Sequence, residues 1–209
     1  MRILLATRNA DKAREIRQIL APIPDLQLVT LDQAGIPRTP DEDAIEVHNT
    51  FHETALAKAA YFARRADGPT LADDSGLAVD ALHGAPGVRS KRFSGRTDLS
   101  GTALDDANNQ LLLERLRDVP DPQRTAHYVC AVALAAPDAT PLVSIGTCAG
   151  TITRTPRGTA GFGYDPLFLF PTLGVTFAEM TADEKNRRSH RARALRALAA
   201  RLAQHPARG

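Results

Sequence analysis

The sequence has few cysteines and lacks any apolar run long enough to cross a membrane. Its two cysteines, Cys130 and Cys148, lie far apart among apolar or small residues, which excludes a disulfide framework and a cysteine-rich zinc site. The opening residues, MRILLATRN, turn polar too soon for a signal peptide or a membrane span. We therefore expect a cytoplasmic protein with reduced, buried thiols and no membrane partner.

A surplus of charge of one sign is also missing. The chain has 26 Lys and Arg residues against 24 Asp and Glu residues, for a formal net charge of +2. This balance argues against a general nucleic-acid-binding protein but leaves room for a local basic site that faces a phosphate. The Walker motif of P-loop proteins, the H-E-x-x-H motif of zinc proteases and the G-x-S-x-G motif of serine hydrolases are all absent.

Strand-like and helix-like segments alternate along the chain and predict one α/β (α+β) domain over residues 1–209. Apolar runs predict strands over residues 2–7, 26–31, 70–72, 77–82, 126–136 and 142–154, the last two as an antiparallel hairpin. Helical spacing predicts helices over residues 11–20, 50–65 and 104–116 and from 167 to about 204, with a capping box at Thr181 and Glu184. The expected architecture is a central mixed β-sheet flanked by helices.

One candidate site is the start of the first helix. Free backbone N–H groups and the helix dipole favour an anion there, and hydroxyl, amide and ammonium groups could help to bind it. Taken alone, the segment is better explained as an ordinary capped helix start, because such starts are common. The segment consists of Thr7, Arg8, Asn9, Ala10, Asp11 and Lys12.

A second candidate is the pair Asp73 and Asp74, which precedes Ser75 and Gly76 at a predicted strand end. Two carboxylates suit a hard cation, and one of them could deprotonate a water molecule. The alternative is a plain turn, since Asp, Ser and Gly are typical turn residues. Upstream acidic residues could complete a metal site or merely complement a helix dipole; they are Asp41, Glu42, Asp43, Glu46 and Glu53.

Two later segments could recognise a base. The loop Gly161–Pro166, GFGYDP, combines glycines that permit close approach with aromatic rings that can stack, although the rings could equally pack into the core. The basic segment KNRRSHRAR contains Lys185, Ser189, His190 and Arg191. Such a run is usually a solvated helix face, but His190 and Arg191 together offer donors to a base edge.

The order of these blocks resembles the inosine triphosphate pyrophosphatase family, which acts on non-standard purine nucleoside triphosphates. The blocks, from about Ile3 to Leu195, are ATRNADKAREI, TFHETALAKA, LADDSGLAVDALHGAPGVRS, GFGYDPLF and DEKNRRSHRARAL. The resemblance implies an elongated, two-lobed domain with an active-site cleft between the lobes, Mg²⁺ as cofactor and a homodimer. It also implies that ITP, dITP and XTP are hydrolysed to the monophosphate and pyrophosphate, which removes them from the nucleotide pool.

The resemblance assigns residues to tasks by position. The segment from Thr7 to Lys12 would hold the triphosphate, with Lys58 nearby. Asp74 would act as general base and, with Glu46, as metal ligand, while Asp73 would support both; Lys12, Asp73 and Asp74 form the implied catalytic set. The remaining implied contacts to substrate are Ser75, Phe162, Gly163, Tyr164, Asp165, Lys185, His190 and Arg191.

Two departures and two alternatives accompany the resemblance. The family usually has glycine where this chain has Arg8, and the block around Glu46 lacks the usual glycine.

Hypoxanthine and xanthine present an acceptor oxygen where adenine has an amino group, and Arg191 and His190 could donate to that oxygen. The alternatives are a nucleotide-binding regulatory protein without chemistry and a related pyrophosphatase for modified pyrimidine or methylated nucleotides.

Overall fold

A computed structural model describes the chain over residues 1–45 and 48–204. The strands are β1 (Arg2–Leu5), β2 (Gln27–Thr30), β3 (Thr70–Val79), β4 (Thr125–Ala135), β5 (Leu142–Ile152), β6 (Phe168–Phe170) and β7 (Val175–Thr176). The helices are α1 (Ala10–Leu20), α2 (Asp41–Ile45), α3 (Phe51–Ala66), α4 (Gly101–Arg115), α5 (Ala182–Arg188) and α6 (His190–Gln204). Short 3₁₀ helices lie at Asp80–Leu82, Gly87–Arg92, Asp121–Gln123 and Phe177–Glu179.

The strands form one open sheet of seven strands in the order β2-β1-β3-β4-β5-β6-β7. Strand β1 is parallel to both β2 and β3, whereas β6 is antiparallel to β5 and β7. The sheet is therefore mixed, which confirms the predicted fold class. No helix in the described part of the chain is long and apolar enough to cross a membrane.

The chain divides into two compact units, and the division falls within β3, β4 and β5. The first unit comprises Met1–Asp74, Cys130–Gly146 and His190–Gly209. Its strands bury both faces, because successive side chains in a strand point to opposite sides. Ile3, Leu5 and Leu71 pack with α1 and α6 on one face. Leu4, Ala6 and Ala72 pack with α3 on the other.

The second unit comprises Ser75–Val129 and Thr147–Ser189. Its core contains Leu112 and Leu116 of α4 and the clustered rings of Tyr128, Phe168 and Phe177. Buried Arg124 donates to backbone carbonyl oxygens, including Leu116 O at 2.5 Å and Ile152 O at 2.8 Å. The bond to Leu116 O satisfies a carbonyl group that the end of α4 leaves without an intrahelical donor.

Two predictions about local structure were wrong. Residues 70–79 form one continuous strand between β1 and β4, so the predicted break between residues 72 and 77 is absent and the alternative of a turn at Asp73 and Asp74 is also wrong. The region after Pro166 is not helical throughout, since Phe168–Phe170 and Val175–Thr176 pair with each other as antiparallel strands. The predicted capping box at Thr181 and Glu184 is confirmed.

Candidate active site

The position of the acidic pair within a strand separates its two side chains. Asp73 and Asp74 are consecutive residues of β3, so they point to opposite faces of the sheet. Asp73 shares the face of Leu71, which packs with α1 and α6, and its exposure is 0%. Asp74 shares the face of Ala72, which packs with α3, and is half-buried. The two carboxylates therefore have different environments and can have different tasks.

Asp73 lies at the centre of a buried cluster of charges in the first unit. The Lys12 ammonium lies 3.2 Å from Asp73 Oδ2. The Arg191 guanidinium donates to the same oxygen from Nη2 at 3.2 Å and Nε at 3.3 Å. Arg191 Nη1 also donates to Glu15 Oε2, and Lys58 Nζ donates to the Asp73 carbonyl oxygen at 3.3 Å. We call Lys12, Glu15, Asp73 and Arg191 the charge cluster.

The charges within this cluster hold Asp73 and Lys12 ionised. Burial by itself would raise the pKa of Asp73, but the positive charges of Lys12 and Arg191 outweigh burial and hold that pKa well below its usual range. Burial likewise opposes the charge on Lys12, yet Asp73 and Asp74 raise its pKa. An Asp73 carboxylate with so low a pKa is a weak base. Asp73 is therefore poorly suited to accept a proton from water.

Cys130 lies on the same face of the sheet as Asp73. Its Sγ lies 4.0 Å from Asp73 Oδ2. Burial, reinforced by the Asp73 charge, raises the pKa of the Cys130 thiol to about 12. Such a thiol stays protonated and unreactive at neutral pH.

Arg191, which the sequence predicts to lie at the base, contacts two carboxylates of the first unit. All three nitrogens of its guanidinium contact carboxylates, and 1% of the residue is exposed. Arg191 reaches these carboxylates because α6 lies close against β5. A Cβ at Gly146 would lie 2.2 Å from His190 O and 2.4 Å from Ala194 N. Glycine at this position lets the start of α6 lie directly on the strand. His190, at the same helix start, is 3% exposed.

The segment from Thr7 to Lys12 divides into capping residues and one member of the charge cluster. Asn9 is the N-cap of α1, since its side chain accepts from Lys12 N at 3.0 Å. Thr7 Oγ1 accepts from Asn9 N at 3.2 Å. Asp11 pairs with Arg14 at the surface, and Ala10 is the first residue of the helix. The capped-start interpretation is therefore correct for Asn9, and it does not conflict with anion binding at the same helix end.

Arg8 turns toward an acidic residue of α2. Its Nε and Nη2 donate to the two carboxylate oxygens of Glu42 at 3.0 Å and 2.8 Å, and its Nη2 also donates to Ile36 O at 3.1 Å. The hydrogen bond from Arg8 lowers the pKa of Glu42. The sequence analysis did not foresee this fork, nor the part of Glu15 in the charge cluster. The spacing of Lys12 and Glu15, three residues apart on one helix face, was the available signal for Glu15.

A second cluster lies in the second unit, around Asp165. Lys185 Nζ lies 2.5 Å from Asp165 Oδ2, which also accepts from Phe162 N at 2.9 Å. Tyr128 OH donates to Asp165 Oδ1 at 3.3 Å. Lys185 Nζ also lies 4.9 Å from the centroid of the half-buried Phe162 ring. Gly161 is required here, because its φ is +77° and a Cβ would lie 2.0 Å from Asp165 Oδ2.

The other residues that were predicted to form the site lie in several different elements. Ser75 is half-buried in β3, and Ser189 is the buried C-cap of α5, whose N–H donates to Lys185 O at 2.8 Å. Tyr164 is buried and donates to Ser90 O at 2.8 Å. Glu46 lies outside the described residues. Within those residues, no three His, Cys, Asp or Glu side chains come together in a way that could hold a metal ion.

The fold is thus that of an α/β protein with a mixed sheet, and each of its two units contains a buried cluster of charged side chains. The model of the Ham1 family matches residues 3–201, and the chain belongs to this family. It is 50% identical over 205 residues to a dITP/XTP pyrophosphatase of Nocardia farcinica, with 97% of this chain and 95% of the relative covered. It is 46% identical over 199 residues to the enzyme of the same name from Shigella flexneri, with 94% and 95% covered.

Solved structures agree with this assignment. A HAM1 protein from Coxiella burnetii is 36% identical and superposes with a TM-score of 0.83 over 98% of this chain and 99% of that one. A nucleoside-triphosphatase, described also as a dITP/XTP pyrophosphatase, from Mycobacterium abscessus is 42% identical, with a TM-score of 0.72 over 97% and 99%. The resemblance read from the sequence blocks is thereby confirmed.

Proposed function

We propose that this protein hydrolyses non-standard purine nucleoside triphosphates, namely ITP, dITP and XTP, to the nucleoside monophosphate and pyrophosphate. The single observation that carries the proposal is the near-complete coverage, at 46–50% identity, by relatives named dITP/XTP pyrophosphatase. The two clusters supply the chemistry that such a reaction needs. A regulatory protein that only binds nucleotide would have no need of a buried Lys–Asp–Arg arrangement beside a second carboxylate.

The triphosphate is assigned to the start of α1 and to Lys12. The ammonium group has three N–H donors, so contact with Asp73 leaves it able to donate to a phosphate oxygen. The side chain of Lys12 is 15% exposed and the Asp73 side chain 0%, which places Lys12 at the accessible edge of the pair. The N-terminal dipole of α1 adds favourable electrostatic potential for phosphate. Lys58, bonded to the Asp73 carbonyl oxygen, adds a further positive charge.

Mg²⁺ is the proposed cofactor. Mg²⁺ is commonly bound by one or two protein carboxylates together with phosphate oxygens, so a complete cage of side chains is not required. Asp74 fits this pattern as a half-buried carboxylate, with Glu46 as the proposed second ligand. Asp73 does not fit it, because Lys12 and Arg191 already occupy Oδ2. When bound, the ion would neutralise charge on the triphosphate and on the departing pyrophosphate.

Asp74 is the proposed general base and Asp73 its support. Asp74 would take a proton from the water that attacks the α-phosphorus. Asp73, held rigidly by two cations, fixes the backbone of β3 and hence the position of the next residue. Lys12 would stabilise the negative charge that accumulates on the leaving pyrophosphate.

The purine base is assigned to the Asp165 cluster. Phe162 offers a ring face for stacking. Lys185 is fixed by Asp165 and can donate to a six-keto oxygen. Adenine has an amino group at that position and would leave such a donor without an acceptor, at a cost of about 1–3 kcal/mol. We also propose that the protein forms a homodimer and lies in the cytoplasm; light scattering tests the homodimer by measuring the molar mass in solution.

The decisive experiment is a panel of nucleoside triphosphates with Mg²⁺ in which pyrophosphate and orthophosphate are measured separately. We expect ITP, dITP and XTP to release pyrophosphate without orthophosphate, ATP to react much more slowly, and EDTA to stop the reaction. Stepwise release of orthophosphate from ITP would refute the proposed reaction. Binding of ITP without any turnover would favour a regulatory protein, and faster turnover of modified pyrimidine nucleotides would favour the related pyrophosphatases.

A further inference from the structure

Helix α4 binds both backbone polar groups of Gly163, in the loop Gly161–Pro166. Asp105 and Asn109 lie four residues apart, so they occupy the same face of α4. Asp105 Oδ2 accepts from Gly163 N at 2.8 Å, and Asn109 Nδ2 donates to Gly163 O at 2.9 Å. One side chain thus holds the amide and the other the carbonyl of the same glycine. We call Asp105 and Asn109 the α4 clamp.

The clamp acts at the residue whose conformation decides where the loop points. Gly163 has a φ of +64°, in the left-handed region that other residues rarely adopt. Gly163 follows Phe162 directly, and Tyr164 next to it is anchored by Ser90. Fixing both polar groups of Gly163 fixes the peptide planes on either side of it, because each peptide unit is planar. The orientation of the Phe162 backbone is therefore set by α4.

The side chain of Asn109 makes an incomplete set of hydrogen bonds. Asn109 is 7% exposed, and within the described part of the chain its Oδ1 has no hydrogen-bond partner. Buried polar atoms of this kind are uncommon in native structures and weaken the fold. Its neighbour Asn108 provides the contrast: Oδ1 accepts from Ser94 N at 2.8 Å, and Nδ2 donates to Lys91 O at 3.2 Å. Stability explains Asn108, whereas it does not explain Asn109.

From this contrast we infer that Asp105 and Asn109 are positioning residues for base selection. They hold the Gly161–Pro166 loop so that the Phe162 ring can stack on a six-keto purine while the Lys185 ammonium donates to its keto oxygen. Neither residue touches the reacting phosphate. This inference rests on the proposed function, because it assigns the loop to the base.

The test is a matched pair of substitutions, Asn109→Leu and Asn108→Leu, assayed for kcat/KM on ITP and ATP and for melting temperature. For Asn109→Leu we expect the ITP to ATP ratio to fall roughly threefold to tenfold, the worth of one lost hydrogen bond. Its melting temperature should stay within about 3 °C of wild type, since removal of the unsatisfied Oδ1 offsets the loss of the hydrogen bond to Gly163 O. For Asn108→Leu we expect the reverse: a melting temperature lower by roughly 5 °C or more and an unchanged ratio.

If either leucine variant fails to fold, a second pair of substitutions, at Asp105, tests the same inference. Asp105→Asn retains an acceptor oxygen for Gly163 N and should keep the wild-type ratio, whereas Asp105→Leu should lower it. Exposed Asp106→Leu is the control for the charge on α4. An unchanged ratio in folded Asn109→Leu, or in folded Asp105→Leu, would overturn the clamp. A wild-type enzyme with no preference for ITP over ATP would instead overturn the proposed function.

Discussion

Replacement of Arg191 by alanine should destabilise the protein and slow hydrolysis of ITP and ATP by the same factor. The guanidinium lies 3.2 Å from Asp73 Oδ2, contacts Glu15, and is 1% exposed. Removal of one member of a buried ion pair costs about 3–5 kcal/mol, because the remaining charge stays buried. For a chain of 209 residues, that is a fall in melting temperature of roughly 6–20 °C. Displacement of Asp73 should reduce kcat/KM by about 10–100-fold for either nucleotide.

The pH dependence of this loss provides an independent check. The pKa of Asp73 is lowered in the folded protein, so its pairing stabilises the fold fully above the unfolded carboxyl pKa of about 3.9. The contribution is lost as the pH falls below that value. The difference in stability between wild type and Arg191→Ala should therefore be constant from pH 6 to 8, roughly, and should shrink below about pH 4.

The assay combines thermal unfolding with kcat/KM for ITP and ATP, with exposed Arg193→Ala on the same helix as control. Arg191→Lys should recover part of the stability, since an ammonium keeps the charge but not the fork. A selective loss of ITP hydrolysis at an unchanged melting temperature would refute this reasoning. That result would indicate that Arg191 contacts the purine base, as predicted from the sequence.

Three further predictions concern Asp74, Arg8 and the two buried cysteines. Asp74→Asn should abolish most ITP turnover at an unchanged melting temperature, because it removes a half-buried charge without changing size; wild-type turnover would exclude Asp74 as the base. Arg8→Gly should lower the melting temperature by about 2–4 °C and leave KM for ITP unchanged, because the guanidinium binds Glu42; a raised KM would place Arg8 at the phosphates. Cys130 and Cys148, both buried, should resist iodoacetamide at pH 8 and react only after denaturation in guanidinium chloride, as followed by mass spectrometry; rapid labelling of the native protein would contradict their burial.

Much of the site could be predicted from residue types and their order. The helical periodicity of residues 50–65 and the strand pattern of β1 were sufficient to place α3 and β1. The capping residues Asn9 and Thr181 were recognisable because caps depend on contacts within four residues. The ordered blocks pointed to the family because each of them combines chemistry-bearing residues with the glycines that their loops require.

Partners that are distant in the chain could not be predicted in this way. Whether Asp-Asp-Ser-Gly forms a turn or lies within a strand depends on the neighbouring strands of β3, which come from residues 2–5 and 125–135. Arg191 and Asp73 are separated by 118 positions, and Asn109 and Gly163 by 54. Such pairs arise only when packing brings their elements together.

By itself, then, the sequence determined the elements with strong local periodicity, the caps, the family and the inventory of reactive groups, because these depend on neighbouring residues or on the order of motifs. The tertiary structure alone decided which groups are tied to one another. Burial of Asp73 between Lys12 and Arg191 makes it a fixed anion, whereas its neighbour Asp74 is half-buried on the other face of the sheet. The same residue type thus meets two different environments, because adjacent side chains in a strand face opposite sides of the sheet and meet different charges there.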